Sequence, residues 1–313
     1  APQNNGNNGN NGNNSNNGSN NSNNSNNSNN SNNGGQWQGW SVTCDDGSSF
    51  DNGVEVIMNQ ISPNTTYTAT AIGLNGFDPV LAVVDSNDQN ANGLCNNDSS
   101  DASAYTADLP SSGQVAASRH SAQVTFNQSD VSKSGDVSLV VGGNNNQTGE
   151  FLLIIEGQGI TSSTTTGDVY NINVTPGMVT SGIPLSLYMI AENTDLDPFL
   201  YQTDSNLTQL KDDQGNPIGC DDAGDAKSCW GQSDKLANSS LTVGRGTLSG
   251  GDYDAMLSFS LDGIQLNSDP TQNYFTFIMT TSPSQKSTGK YIAVFDIGIG
   301  SSGSGSFGKG TSS

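Results

Sequence analysis

Basic residues are nearly missing from this sequence. Only nine of 313 residues are Lys or Arg, against 30 Asp or Glu, and no Lys or Arg precedes Arg119. The formal net charge is −21. A nucleic-acid partner requires a cationic footprint that displaces counterions from phosphate, so that class is excluded. Anionic lipid headgroups are disfavoured by the same sign. There is one histidine, His120, and no G-x-S-x-G elbow, which leaves almost no freedom to build a Ser-His-Asp triad. Carboxylates are plentiful, but they cluster in turn sequences such as KDDQGN and CDDAGD, where Asp bonds its own backbone. The chain is therefore read as not being an enzyme. No apolar run approaches the roughly 20 residues that cross a bilayer, and no membrane span is expected. The first residues are Ala-Pro-Gln rather than Met, which is read as a mature product after signal-peptide removal.

Cysteine is scarce, with two residues in each half: Cys44 and Cys95, then Cys220 and Cys229. Four cysteines allow three pairings. Cys44–Cys95 and Cys220–Cys229 are favoured because each pair then stays inside one half. Zinc is the rival reading, but no C-x-x-C occurs and His120 is remote in sequence. Disulfides place the chain in an oxidising, extracellular or cell-surface setting.

What is present begins with residues 1–36, an Asn/Gly/Ser low-complexity tail written from residue 4 as NNG and NNS triplets. Such a composition buries no apolar surface and reads as a solvated linker. The period of three also suits lateral packing of extended threefold helices, and Asn ladders in a cross-β stack are a further ordered option. The triplets contain glycosylation sequons at Asn20, Asn23, Asn26 and Asn29, and others follow at Asn64, Asn146 and Asn173. An Asn- and Ser-rich chain generates sequons by chance, so these are candidates only.

Beyond Trp37 the texture changes to short β-branched and aromatic runs, among them GVEVIM, TYTATAIG, PVLAVVD and EFLLIIEG, separated by Gly, Asn, Asp and Pro. No segment holds a helical period. The pattern predicts an all-β protein. The two halves also match: FDPVLAVVDSN at 77–87 against LDPFLYQTDSN at 196–206, and TGEFLLIIEGQG against TGKYIAVFDIGIG near the ends. Cys95 is set against Cys220 in this alignment. The reading is a tandem duplication of one jelly-roll-like β-sandwich. The domains are 37–159 and 160–300, followed by a Gly/Ser tail at 301–313.

These segments resemble the bacterial pre-peptidase C-terminal domain, a small β-sandwich appended to secreted proteins. The likeness rests on Tyr67, Asp78-Pro79-Val80-Leu81, Asp85 and Asn96-Asn97-Asp98 in the first copy. The second copy offers Tyr188, Asp197-Pro198-Phe199-Leu200, Asp204 and Asp221-Asp222. It covers most of residues 37–300. The cysteines and a long stretch between Gly231 and Tyr274, read as an insertion, depart from it.

Calcium is the one cofactor the residues suggest, because it takes hard oxygens from flexible acidic loops. Asp78, Asp85, Asp98 and Asp101 form one candidate set, and Asp197, Asp204, Asp221, Asp222 and Asp225 another; plain turn chemistry is the competing account. Trp37 and Trp40, where the tail meets the first domain, are candidates for contact with a neighbouring subunit or a sugar. The leading functional expectation is a structural subunit of an extracellular polymer (a filament, sheath or surface layer), with copies of itself as partner through the tail. The alternative is a monomeric adhesin or carbohydrate-binding module with the tail as spacer.

Overall fold

A computed structural model describes residues 38–85, 94–131, 135–161, 167–223, 229–230, 236 and 239–301. Trp37, Asp225 and the sequons at Asn20, Asn23, Asn26 and Asn29 lie outside them. The first repeat contributes β1 (Trp40–Thr43), β2 (Ser49–Asn59), β3 (Tyr67–Gly73), β4 (Pro79–Asp85), β5 (Cys95–Asn96), β6 (Thr106–Leu109), β7 (Gly113–Ala116), β8 (Ala122–Phe126), β9 (Val137–Gly143) and β10 (Gly149–Ile160). The second follows with β11 (Asp168–Asn173), β12 (Leu185–Ala191), β13 (Pro198–Thr203), β14 (Gly219–Cys220), β15 (Ser240–Val243), β16 (Gly246–Ser249), β17 (Ala255–Phe259), β18 (Tyr274–Thr281) and β19 (Gly289–Ile299). A one-and-a-half-turn helix, α2 in chain order after the single turn α1 (Gln128–Val131), spans Pro176–Ser181. Thr175 caps its N-terminus through Met178 N–H, and Gly182 ends it in a left-handed conformation.

The protein is all-β and sandwich-like, as the alternating runs predict. Every strand from β2 to β10 has a counterpart from β11 to β19, in the same order. The stretch between Gly231 and Tyr274 is therefore no insertion, since β15–β17 in it answer to β6–β8.

Counterparts also pair with each other. The larger sheet runs β14-β13-β18-β11-β2-β9-β4-β5, and the second runs β17-β12-β19-β10-β3-β8. A third, ordered β16-β15-β6-β7, went unforeseen because its strands have four residues each. The seams are β11·β2, β19·β10 and β15·β6. Counting registers outward from Pro79 and Pro198 makes Ile57 equivalent to Asn171, and these two residues face each other. Ile154 faces Val294, its equivalent in the matched C-terminal segments. A pseudo-twofold axis thus passes through the seams. The expected boundary at 159/160 falls where β10 ends, and the sheets run on across it.

Alternation within β10 and β19 explains the three layers. Phe151, Leu153, Ile155, Tyr291 and Phe295 point toward the larger sheet, where Phe295 meets Tyr170 with ring centroids 5.3 Å apart and Phe151 meets Phe77 at 6.0 Å. Glu156 and Asp296, on the opposite face, are covered by the third sheet: Tyr105 donates to Glu156, and Ser111 to Asp296. Gly157, at the bulge of β10, has φ +102°, and a Cβ there would sit 2.6 Å from the Thr66 carbonyl oxygen. Any other residue is strained at this point.

Both expected disulfides are present. Cys44–Cys95 ties β1 to β5, and Cys220–Cys229 ties β14 to the segment before Trp230. They are not equivalents. Leu81 pairs with Asn96 and Leu200 with Cys220, so Asn96, not Cys95, is the counterpart of Cys220. A one-residue offset turns the side chain to the other face of the sheet. Cys95 packs on the outer cluster and Cys220 lies in the main core. Asn96 and Cys220 nevertheless perform one job. Asn96 Oδ1 accepts from Gln123 N–H at 3.1 Å, and Cys220 Sγ accepts from Met256 N–H at 3.2 Å, each closing the edge of the second sheet.

Candidate ligand sites at the Asp-Pro turns

Each repeat carries an Asp-Pro pair just before its β4-type strand, and the same three positions converge there. In the first repeat these are Asp78, Asn97-Asp98 and His120; in the second, Asp197, Asp221-Asp222 and Tyr253. The equivalence follows from the strand registers.

Asp78 is anchored by its backbone. Its N–H donates to Gln147 Oε1 at 3.1 Å, its carbonyl accepts from Asn144 N–H at 2.8 Å, and its Oδ2 accepts from Asn144 Nδ2 at 3.1 Å. The remaining oxygen, Oδ1, is buried without a hydrogen-bond partner, and so is Asn97 Oδ1. His120 Nδ1 stands 3.2 Å from Asp98 Oδ1 and 3.9 Å from Asp78 Oδ1. Arg119 Nε donates to His120 Nε2 at 3.0 Å, which leaves Nδ1 facing the carboxylates. Asp78, Asp98 and His120 bring their ligand atoms within 4.8 Å of one another.

The second site has the same plan in oxygen alone. Asp197 N–H donates to Ser287 Oγ at 2.8 Å and its carbonyl accepts from Ser282 N–H at 2.8 Å. Asp197 Oδ1 and Asp221 Oδ1 are buried without hydrogen-bond partners, matching Asp78 and Asn97 position for position. Burial, then the charges of Asp221 and Asp222, push the Asp197 carboxyl up to about 6.

Several sequence-derived candidates fall away from these centres. Asp85 and Asp204 end their strands, roughly 20 Å from Asp78 and Asp197 at about 3.3 Å per residue. Asp85 is buried. Asp204 Oδ1 is occupied by the N–H groups of Asn206 and Thr208, both at 2.9 Å, which is turn chemistry. Asp101 opens an exposed 3-10 turn and is not in the cluster. His120 and Tyr253 were not foreseen as partners, because only the register places them beside the Asp-Pro turns. Among the sequons, Asn64 and Asn146 are exposed, whereas Asn173 is fully buried and donates to the Pro270 carbonyl at 3.1 Å. A glycan has no access to Asn173 in the folded chain. Trp40 packs inside its own chain on the outer cluster. Trp230 stacks on Phe259 at 5.5 Å and donates to Asp212 at 3.2 Å.

Two depressions flank this region. A cleft of about 490 Å³ lies beside the second site between β16 and the loop after β12, with Tyr253 at its mouth. A groove of about 820 Å³ lies on the outer face of the larger sheet at the pseudo-twofold axis, lined by Ile57, Asn59, Asn171, Leu207, Tyr274 and Thr276 among others.

That outer face differs between the repeats. In the first, β1 and the start of β2 fold back as a hairpin, and Val42, Cys44 and Phe50 cover Val80, Ala82, Val84 and Val140. The equivalent positions in the second are Phe199, Tyr201, Thr203 and Ile278; Thr203 and Ile278 are buried, whereas Phe199 and Tyr201 stack at 5.0 Å and stay partly exposed. Only seven residues separate β10 from β11. No helix among the described residues is long and apolar enough to cross a membrane. No protein-family model matches the chain, and no curated protein matches it.

Proposed function

We propose that this chain is a secreted, non-catalytic subunit of an extracellular polymer, linked to its neighbours when residues 1–36 of one copy dock on the outer face of the second repeat of the next. The observation that carries this reading is the asymmetry of the two outer faces. One is covered by the chain's own β1 hairpin, locked there by Cys44–Cys95; the other carries partly exposed aromatic residues and adjoins the open groove at the pseudo-twofold axis. The tail joins the chain beside β1 on the covered face, so each copy brings a donor segment and an open acceptor. That arrangement is heterologous, and it propagates into a filament when the rotation between copies does not close a ring. Asn59, Asn171 and Thr276, linked to one another by hydrogen bonds of 2.7 Å, line the groove with amide and hydroxyl groups, a surface chemically akin to the tail's asparagines. Fully extended, 36 residues reach on the order of 120 Å, ample for a neighbouring copy. The sandwich itself supports a place among modules of the pre-peptidase C-terminal type.

The test is electron microscopy of the full chain and of a chain lacking residues 1–36, with circular dichroism on both. Filaments or sheets from the first and dispersed, folded particles from the second are expected. Assembly that survives the truncation sinks the reading.

A second reading concerns the Asp-Pro turns. Their paired orphan oxygens support cation binding, and the all-oxygen set of Asp197, Asp221 and Asp222 matches calcium better than the set containing His120. Calcium at millimolar concentration is expected to raise the melting temperature of the wild type but not of Asp197→Asn/Asp221→Asn. Equal melting temperatures with calcium and with chelator would remove it.

A further inference from the structure

The cleft under Tyr253 borders the second Asp-Pro site at Asp197, and its remaining lining has a chemistry that neither the polymer nor the cation reading uses. Its aromatic ring is 69% exposed, although the equivalent residue, His120, is turned onto Asp98. The cleft below is lined by carboxylate, amide and hydroxyl groups: Glu192, Asn193, Thr247, Ser249 and Gln285. Its floor is fixed. Both oxygens of buried Asp254 are held by backbone, Oδ1 by Ala191 N–H at 2.8 Å and Oδ2 by Gly251 N–H at 2.7 Å. Glu192 is set in place by Arg245, 3.4 Å away.

Each feature narrows the ligand class. No Lys or Arg lines the cleft, while Glu192, Asp197 and Asp254 do, so phosphate, sulfate and uronate groups are repelled. Polar side chains make up much of its lining, with Leu196 and Leu248 the only aliphatic ones larger than Ala, which does not suit a lipid or a large aromatic ligand. A ring face carries negative quadrupolar charge and attracts weakly positive C–H groups. The axial C–H face of a pyranose supplies these, and its rim of hydroxyls both donates and accepts. The volume lies within the usual range for small-molecule sites.

We infer that this cleft binds a neutral saccharide, with one pyranose ring stacked on Tyr253 and its hydroxyls bonded to Glu192, Asn193, Thr247, Ser249 and Gln285. The proposal stands apart from the tail and needs no self-association. It also places the sugar contact at a tyrosine rather than at the tryptophans.

The test is calorimetric titration of the full chain with maltohexaose, cellohexaose, mannohexaose and N-acetylchitohexaose, in chelator and at physiological salt. Saturable binding of at least one is expected. Tyr253→Ala should weaken it by about tenfold or more, and Tyr253→Phe by no more than about twofold, since the ring rather than the hydroxyl makes the contact. Because Tyr253 is exposed, both variants should keep the wild-type melting temperature, so a loss of binding reports on the site and not on folding. The proposal is overturned if none of the four binds, if binding is unchanged in Tyr253→Ala, or if polygalacturonate binds more tightly than the neutral sugars.

Discussion

Tyr291 donates a hydrogen bond of 2.6 Å to Asp168 in the interior between the two larger sheets, and Tyr170 lies 3.3 Å from the same tyrosine oxygen. Burial pushes the Asp168 carboxyl up to about 6, against the pull of Tyr291. Asp254 is raised to about 6 and Asp296 to about 8, in both cases mainly by burial.

These shifts fix the sign of the pH dependence. A carboxyl whose folded pKa lies above its unfolded value binds its proton more tightly when folded. Its stabilising contribution is complete below about pH 4 and is lost as pH rises through 6 and then 8. Asp168 and Asp254 each account for on the order of 2–3 kcal/mol over that window. Melting temperature should therefore be higher at pH 5 than at pH 8, and Asp296→Asn should flatten the part of the profile between pH 6 and 8. A profile that rises steadily from pH 5 to 8 would contradict the assignment.

Shared sheets predict shared unfolding. Phe295→Ala, in the second repeat, removes a fully buried ring packed at a tilt against Tyr170 and should cost about 3–5 kcal/mol. Calorimetry should still show one transition. Hydrogen exchange should accelerate in β3 and β10 of the first repeat as well as around the mutation; protection lost from one repeat alone would show that the seams do not couple them.

The two disulfides should differ in weight. Cys44–Cys95 closes a separation of 51 residues and Cys220–Cys229 one of nine. Loop-closure entropy gives about 4 and about 3 kcal/mol for these lengths. Denaturant titration of Cys44→Ala/Cys95→Ala and Cys220→Ala/Cys229→Ala should place the first midpoint below the second.

Gly142 decides whether the first repeat's outer face can be covered. A Cβ at Gly142 would lie 2.2 Å from the Phe50 ring, and the second repeat, with no such hairpin among the described residues, carries Thr280 at the equivalent position. Gly142→Thr should lift the hairpin, at a cost of about 1–3 kcal/mol. Trp40 would then become more solvated, seen as a red shift in tryptophan fluorescence. Unchanged emission would mean that the hairpin adapts in place.

Long strands were legible because alternation over five or more residues leaves little else to form; β2, β3, β4, β10 and β19 sit where the runs place them. The third sheet was not legible, since β6, β7, β15 and β16 are too short to show a period. Helix α2 had a signal, Thr-Pro followed by Gly after the last turn, that was masked by its strand-rich surroundings. The Asp-Pro turns were visible as motifs. What joins them could not be read: Asp98 and His120 reach Asp78 only through pairings that sequence distance conceals, and the same alternation that found β4 put Asp85 at its far end. The duplication was visible, but not that counterparts pair, because self-pairing is a property of register.

The edge contacts of Asn96 and Cys220 bear on how this chain avoids misassembly. An open sheet edge is a template for any passing strand. Here β5 and β14 end the larger sheet after two residues each, and the N–H groups of Gln123 and Met256 on the second sheet are already taken. At these edges the chain is thereby discouraged from adding strand to strand into amyloid. Regulated contact is left to side-chain surfaces, where a single substitution can weaken it without releasing a sticky backbone.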